Sequence, residues 1–364
     1  MLALAVVPVS AVALAPSAPA AGTDIVIALE GPLTGDQASN GRDMLRGARL
    51  AVRQVNAAGG VLGRQVRLVA LDDQADPARA AGMVTKAAKA GAVAVIGPYN
   101  SSVGQVNLPL YVKKDIVPLR MTSSTQTEGF GATTQPMDSQ VSPVEVAYLV
   151  STGAKRVAML VDPSEYTAGM ASRTSTALEA RGIVVTKVPI VAGAADYAAD
   201  VATALASAPD VVYSSTYFPE GAKIAQAIAS ANTPAACFMG LANVDPAFVT
   251  AAGIPMAQRC MFSGTPAAAQ LPTAGSYVTA YRKAFDTRPG VWGTFTYDSA
   301  KVLFAAMERA GTTDHDAVLK AVLATKDVEG ATGTITFERS TGNRKVVPVF
   351  ILEVDNRGTF VISS

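Results

Sequence analysis

The sequence predicts an α/β protein made of two lobes, each built on a parallel sheet with helices on both faces. Short runs rich in β-branched residues alternate with segments of helical periodicity along most of the 364 residues. The alternation forms two successive series, which implies two lobes with a buried core each. Strand-like runs near the C-terminus have to return to sheets that are already complete, so we expect both lobes to be discontinuous in sequence.

The first series begins after Asp24. Its predicted strands are 25–29, 66–71, 93–96 and 116–119. Its predicted helices are 41–58, 77–91 and 102–113. Gly59-Gly60 ends the first helix, Asp76-Pro77 supplies the cap and first turn of the second, and the third has to accommodate Pro109.

The second series begins with a helix over 142–152, which Ser142-Pro143 is expected to cap. Its predicted strands are 156–161, 183–190 and 210–214, and the helices between and after them are 165–181, 195–207 and 219–231. Three further helices follow, at 274–286, 294–310 and 314–323. Two tail strands, 332–337 and 346–354, end the pattern and are expected to join the two sheets.

Composition excludes several classes of function. The chain is 49% hydrophobic, 16% charged and 6% aromatic, with a net charge of +1. Without a basic run we expect neither nucleic acid nor an anionic membrane surface as partner. The one histidine, His315, sits in an acidic helix start where we expect it to be exposed. The sequence contains no phosphate-binding loop or nucleophile elbow and too few ligands for zinc, so we predict no enzyme activity, metal or cofactor.

The N-terminus and the two cysteines bear on the cellular compartment. Residues 1–22 carry no charge, are rich in Ala, Val and Leu, and end in an Ala-Pro-Ala sequence, which predicts a signal peptide cleaved near Ala21. An exported protein permits a disulfide. Cys237 and Cys260 each open a short apolar run that reads as a strand. A bridge between them and two buried free thiols both remain open at this point.

Two hydroxyl-rich turns mark the candidate site. Asn100-Ser101-Ser102 follows the strand 93–96, at the point where a helix is expected to begin. Thr122, Ser123 and Ser124 follow the strand 116–119. Parallel strands bring such turns together in a crevice at their carboxyl ends, and the unpaired N–H groups of a helix start favour an anion there.

These residues lie within a longer resemblance. The segments that carry it are 47–63, 71–77, 95–98, 156–158, 209–213, 217–220, 238–240 and 297–298. They resemble the leucine/isoleucine/valine-binding proteins, type I periplasmic binding proteins that deliver branched-chain amino acids to ABC importers. The resemblance implies two lobes joined by three crossing strands that close on a ligand like a Venus flytrap. It also implies a monomer that meets a permease and ATPase complex.

Mapped onto this chain, the resemblance implies a first lobe of 24–137 plus 266–338 and a second lobe of 138–265 plus 339–364. It implies that Ser101 binds the carboxylate of the ligand and that Thr122, Ser123 and Ser124 hold its carboxylate and ammonium. Tyr166 and Tyr217 match the aromatic residues that close from the second lobe. Trp292 falls where the family has a wall of the side-chain pocket.

One departure from the family pattern bears on the ligand. The acidic residue expected to neutralise the ligand ammonium is replaced by Ala242. A desolvated ammonium without a partner is costly. Either Asn243, Asp245 or Glu220 takes over, or the ligand is an amine-free acid of aromatic or short aliphatic type.

Other departures change the walls of the cleft. Asn40 replaces an aromatic residue at its front and makes that wall more polar. Arg120 stands where a small residue is usual; we expect a structural ion pair with Asp72 or Asp73, with a second anchor for an acidic ligand as the alternative. From a different class of function, the same fold would also serve as a ligand-sensing subunit that binds a regulatory partner.

Overall fold

The computed structural model describes residues 23–363, and the predicted signal peptide 1–22 lies outside this range. The first sheet contains four strands: β1 (Ile25–Gly31), β2 (Val66–Asp72), β3 (Ala92–Ile96) and β4 (Val117–Leu119). All its pairings are parallel, in the order β2-β1-β3-β4. We call this sheet with the helices packed on it the first lobe.

The second sheet has seven strands and, with its helices, forms the second lobe. They are β5 (Arg156–Val161), β6 (Val184–Pro189), β7 (Val211–Ser215), β8 (Ala236–Met239), β9 (Cys260–Gly264), β12 (Phe350–Val354) and β13 (Phe360–Ile362). Their order is β13-β12-β9-β8-β7-β5-β6. A separate antiparallel hairpin consists of β10 (Val328–Gly330) and β11 (Gly333–Ile335).

Twelve helices are described. Those before β5 are α1 (Ala38–Ala57), α2 (Ala80–Lys89), α3 (Ser101–Val112) and α4 (Asp138–Ser151). Those up to β9 are α5 (Glu165–Glu179), α6 (Ala198–Ala206), α7 (Phe218–Ser230), α8 (Pro246–Ala252) and α9 (Ile254–Ala257). The last three are α10 (Gly275–Phe285), α11 (Val291–Ala310) and α12 (His315–Leu323). Among residues 23–363, none is both long and apolar enough to cross a membrane.

The first lobe is built around β1, every residue of which is buried. The helix α1 turns Met44 and Ala48 onto this core and packs along α11. The two helices approach closely at Gly47, where a Cβ atom would lie 1.9 Å from the carbonyl oxygen of Gly293. Because α10 and α11 pack on α1, a segment far along the chain completes the first lobe, as the discontinuous pattern predicts.

The second lobe is extended by the chain end and cross-linked. The strand β12 pairs antiparallel with β9, and β13 pairs antiparallel with β12. Cys237 and Cys260 face each other in the β8–β9 register and form a disulfide, with their Cα atoms 4.5 Å apart. This resolves the two alternatives that the sequence left open. It also explains why both cysteines open an apolar run, since each lies at a strand start.

Several expectations from the sequence are wrong in detail. The tail strand at 332–337 does not return to a main sheet, because β11 pairs with β10 instead. Both antiparallel pairings of β12 depart from the predicted all-parallel sheets. The helix expected to start at Ser142 starts at Asp138, because the Gln140 side chain accepts a hydrogen bond from the Met137 N–H and caps it earlier. His315 is not exposed: its side chain is 9% accessible and its Nδ1 lies 2.9 Å from Asp316 Oδ1.

Candidate functional site

The turn after β3 forms one wall of the candidate site. Gly97 leaves the strand with φ of +120°, and a Cβ atom there would lie 2.2 Å from the Glu30 carbonyl oxygen, so the position favours glycine. Ser101 is the first residue of α3, one position before the predicted start at 102, and is 1% exposed. The turn therefore delivers the Ser101 hydroxyl and the helix start to the same point.

The turn after β4 lies directly against it. The Ser124 N–H donates to Ser101 Oγ at 3.3 Å, which joins the two turns. Ser124 Oγ accepts from the Gln126 N–H at 3.2 Å, and Thr122 Oγ1 lies 2.7 Å from Thr127 Oγ1. Thr122 and Ser124 thus hold the loop in shape.

Contacts from the second lobe reach both turns. The N–H of Glu165, at the start of α5, donates to Ser102 Oγ at 3.0 Å. The Glu165 carboxylate accepts from Ser124 Oγ, also at 3.0 Å. On the opposite side, Ser39 Oγ donates to Asp245 Oδ1 at 2.8 Å. These bonds join the lobes, so the structure shows the molecule in a closed arrangement.

A small cavity lies between the lobes. Its ten lining residues are Tyr99, Ser101, Met121, Ser123, Gln135, Tyr166, Tyr217, Leu241, Ala242 and Trp292. About 10 Å³ is accessible to the centre of a water molecule, room for about one water. Ligand pockets commonly enclose about 300–1,000 Å³. The lobes therefore have to part before a solute of amino-acid size can enter.

Aromatic rings make up much of the lining. The Tyr99 ring centroid lies 5.1 Å from that of Trp292 and 6.0 Å from that of Tyr217. Tyr217 in turn lies 5.5 Å from Tyr166. Tyr99 and Trp292 belong to the first lobe and the other two to the second, so the rings meet across the cleft. Such contacts add to the burial that holds the closed arrangement.

The sequence-predicted residues divide into two groups. Six line the cavity: Ser101, Ser123, Tyr166, Tyr217, Ala242 and Trp292. Four do not: Asn40, Thr122, Ser124 and Asn243. Asn243 uses its amide to donate to the Thr216 and Gly240 carbonyls, at 3.0 and 3.2 Å. Asn40 is fully buried in the first turn of α1.

Four lining residues were missed by the sequence analysis. Tyr99 lies in the turn between Gly97-Pro98 and Ser101, and Met121 lies in the hydroxyl-rich loop, so both had a signal in their positions. Leu241 directly precedes Ala242. Gln135 had no such signal in the sequence, because it lies in the crossing segment before α4 and reaches the site only through the tertiary fold. Its Nε2 donates to the Met121 carbonyl at 2.6 Å.

None of the ten lining residues carries a charge. The proposed substitutes for the missing acid are used elsewhere: Asp245 accepts from Ser39 and the Ala247 N–H, and Glu220 accepts from the Gly193 N–H. Asp138, outside the lining, donates its backbone N–H to the Ser123 carbonyl at 3.0 Å. Burial raises the pKa of Asp138 to about 7. The cavity is therefore polar without being acidic.

Two polar atoms of the lining residues have no partner among the described residues. They are Gln135 Oε1, an acceptor, and Trp292 Nε1, a donor. Both side chains are buried, at 2% and 3% exposure. A buried polar group without a partner is costly, so a ligand that satisfies these atoms gains free energy from doing so.

The expected ion pair of Arg120 is wrong. Its guanidinium donates to the Gly131 and Thr341 carbonyls at 3.1 and 3.2 Å, and to the Asn343 side chain. Asp72 instead accepts from the Leu33 N–H in the loop after β1, and Asp73 accepts from the Ala75 N–H of its own turn, both at 2.9 Å. Arg120 does not line the cavity, and burial lowers its pKa to about 10. Its role is to tie the loop after β4 to a crossing segment more than 200 residues away.

Comparison with known proteins places this geometry in a family. The model of the periplasmic binding protein family matches residues 24–359. The Leu/Ile/Val-binding protein BraC3 of Rhizobium johnstonii is 29% identical over 337 residues, covering 88% of this chain and 89% of that protein.

Solved structures agree on the fold. A leucine-binding protein from Thermotoga maritima superposes with a TM-score of 0.87 at 23% identity, covering 93% of this chain and 98% of that one. A solute-binding protein of an ABC transporter from R. palustris, solved with benzoate, superposes with a TM-score of 0.83 at 19% identity. The match covers 93% of this chain and 95% of that one. Family model, relatives and topology converge: the chain belongs to the periplasmic binding protein family.

Proposed function

We propose that this chain is the exported solute-binding subunit of an ABC importer. It captures a small carboxylate-bearing solute between its lobes and delivers it to a membrane permease with its ATPase, in the periplasm or at the outer cell surface. The observation that carries the proposal is the convergence of two hydroxyl turns from one lobe and two tyrosines from the other on a single cavity. Closure of such lobes is the usual motion of a two-lobed binder.

The carboxylate is assigned to Ser101 and Ser123. The first N–H groups of α3 have no partner within the helix, and the helix dipole favours negative charge at this end. Ser101 Oγ lies at that helix start and Ser123 lines the same cavity. Tyr166 and Tyr217 then cover the ligand from the second lobe. Exclusion of water strengthens each of these hydrogen bonds.

The first choice of solute is an amino acid of the leucine, isoleucine or valine type. Met121, Leu241 and Trp292 offer an apolar surface that suits a branched side chain. Gln135 Oε1 offers an unpaired acceptor to the ammonium. The names of curated relatives, such as the Leu/Ile/Val-binding protein of R. johnstonii, support the same choice.

The second candidate is an amine-free carboxylic acid of aromatic or short aliphatic type. The observation that favours it is Ala242, which lines the cavity where the family pattern has an acid. An ammonium buried against uncharged groups loses its hydration without an opposite charge in return. The fold accommodates such ligands, since the R. palustris neighbour was solved with benzoate.

A thermal-shift screen of residues 21–364 separates these candidates. A ligand at about 100 times its Kd stabilises the folded state by about 2.7 kcal/mol. A shift with leucine, isoleucine or valine supports the amino acid. A shift confined to benzoate or isovalerate replaces it by the amine-free acid. No shift with either group, together with unchanged fluorescence of the single tryptophan Trp292, would contradict the proposed function.

A further inference from the structure

A second concave surface, outside the ligand cavity, runs across both lobes. It encloses a volume of about 360 Å³. Its first-lobe side consists of α10 and the segment 287–291 that leads into α11. Its second-lobe side consists of the start of α8 and the turn between β12 and β13. We call this surface the interlobe groove.

The interlobe groove combines an apolar floor with a basic rim. Val244, Ala268 and Phe360 are buried side chains at its base. Arg282 and Arg288 come from the first lobe and Arg357 from the second. All three arginines are exposed.

None of the three guanidinium groups has an ion-pair partner within residues 23–363, and none donates a side-chain hydrogen bond there. Asp43 is engaged by backbone amides, since it accepts from Gly290 and Gly293 at 2.9 and 2.6 Å. Asp286, two residues before Arg288, is exposed and forms no salt bridge with the arginines.

Asp355 is occupied in the same way, since it accepts from the N–H groups of Arg357 and Thr359 at 2.9 and 2.8 Å. The fold thus engages Asp43 and Asp355 within its own turns, and the three arginines keep their guanidinium groups available to an external anion. Arginine's planar fork suits a carboxylate.

We propose that the interlobe groove receives an acidic segment of a protein partner, with an apolar side chain on its floor and carboxylates on Arg282, Arg288 and Arg357. Given the proposed function, on which this identification rests, the partner is the permease. The arginines belong to both lobes, so a change in the lobe angle alters their spacing. A segment that bridges Arg282 and Arg357 therefore favours one lobe angle, and solute binding and partner binding become coupled.

The first experiment uses the purified chain and a fluorescent short peptide of alternating Glu and Leu. We compare the wild type with the double variant R282E/R357E. The matched controls are R49E and R259E, which reverse exposed arginines outside the groove. We expect peptide affinity to fall about tenfold in the double variant and to weaken with salt, while the controls bind as the wild type does. Equal binding by the wild type and the double variant would overturn the proposal.

The second experiment measures solute binding and cellular uptake separately. Calorimetry should give a solute Kd within about twofold of the wild type for every variant, because the groove does not line the cavity. Uptake of the labelled solute by cells carrying R282E/R357E should fall about tenfold, and R49E and R259E should support normal uptake. Normal uptake with the double variant would overturn the assignment to the permease.

The outcomes distinguish this inference from the proposed function. If the wild type binds no solute, or if deletion of the gene leaves uptake intact, the importer role fails, while the peptide experiment still decides on the groove. A saturable, arginine-dependent thermal shift with succinate or inorganic phosphate would replace the acidic segment by a small free anion.

Discussion

The two lobes meet at one cavity but contribute to it in different ways. The first lobe supplies Ser101 and Ser123 from turns tied together by a hydrogen bond at 3.3 Å. The second supplies Tyr166, Tyr217, Leu241 and Ala242 to the lining, and neither a serine or threonine nor an acid. The serine hydroxyls of the lining therefore belong to one lobe, whereas large apolar and aromatic side chains come from both, since Tyr99, Met121 and Trp292 belong to the first. We infer that the first lobe selects the carboxylate and that the second completes the exclusion of water on closure.

Their frameworks differ as well. The first sheet is a four-stranded parallel sheet without a cross-link among the described residues. The second has seven strands, two antiparallel additions from the chain end, and the Cys237–Cys260 disulfide. The difference predicts that reduction of the disulfide lowers the stability of the second lobe and leaves that of the first lobe unchanged.

The largest expected effect is the loss of stability when that disulfide is removed. Replacing Cys237 and Cys260 by Ala should lower the free energy of unfolding by about 3 kcal/mol, since the bridge closes a loop of 23 residues. Hydrogen exchange should show the loss in β8 and β9 and little change in β1 and β3. Equal loss of protection in both sheets would contradict the separation into two frameworks.

The next effect concerns the polar wall. Ser101→Ala removes a hydroxyl assigned to the ligand carboxylate, which is worth about 1.5–3 kcal/mol. The solute Kd should rise about 10- to 150-fold in calorimetry. Ser172→Ala, at an exposed position of α5, is the matched control and should leave the Kd unchanged. A Kd for Ser101→Ala equal to that of the control would remove Ser101 from the site.

A smaller effect is expected on the aromatic wall. Tyr217→Phe keeps the ring, whose centroid lies 6.0 Å from that of Tyr99 across the cleft, and removes the hydroxyl of a side chain that lines the cavity. Loss of one hydrogen bond from that hydroxyl to the solute costs about 0.5–1.5 kcal/mol, so the Kd should rise by a factor of about 2 to 13. Stopped-flow fluorescence of Trp292 should place the change in the rate of solute release. A change as large as that of Ser101→Ala would mean that the second lobe also selects the ligand.

A further effect is on the pH dependence of stability and involves Glu145, which is buried in the second lobe. Its carboxylate accepts from Ser263, Tyr213 and Thr174, and burial raises its pKa from 4.5 to about 7. A raised folded-state pKa gives stability that is complete below the unfolded pKa and is lost as pH rises through the folded one.

We therefore expect Glu145→Gln to flatten the fall in stability between about pH 4.5 and 7. Urea unfolding of both proteins across this range measures the slopes. Parallel slopes for Glu145→Gln and the wild type would show that Glu145 does not titrate there.

Much of the fold follows from local patterns. The observed bounds of β5 equal the predicted bounds 156–161, and those of the other strands before β8 lie within two residues of the predicted bounds. This agreement is expected because runs of β-branched residues bounded by turn residues are local signals. The pairing of β11 with β10 and the start of α4 were not predicted, because both depend on contacts that are not local in the sequence. The partner of β11 and the Gln140 cap depend on where neighbouring segments lie after folding.

The features of the site also divide into those set by local sequence and those set by tertiary packing. The sequence by itself determined the α/β alternation and the two hydroxyl turns, since each depends on residues near one another in the chain, whereas Tyr166 and Tyr217 were identified through the family resemblance. Only the tertiary structure decided that Cys237 bonds Cys260, that Arg120 serves a crossing segment, that Gln135 reaches the cavity and that three arginines share a groove. These facts join residues from distant parts of the chain, and their proximity is set by packing between elements, which local propensity does not encode.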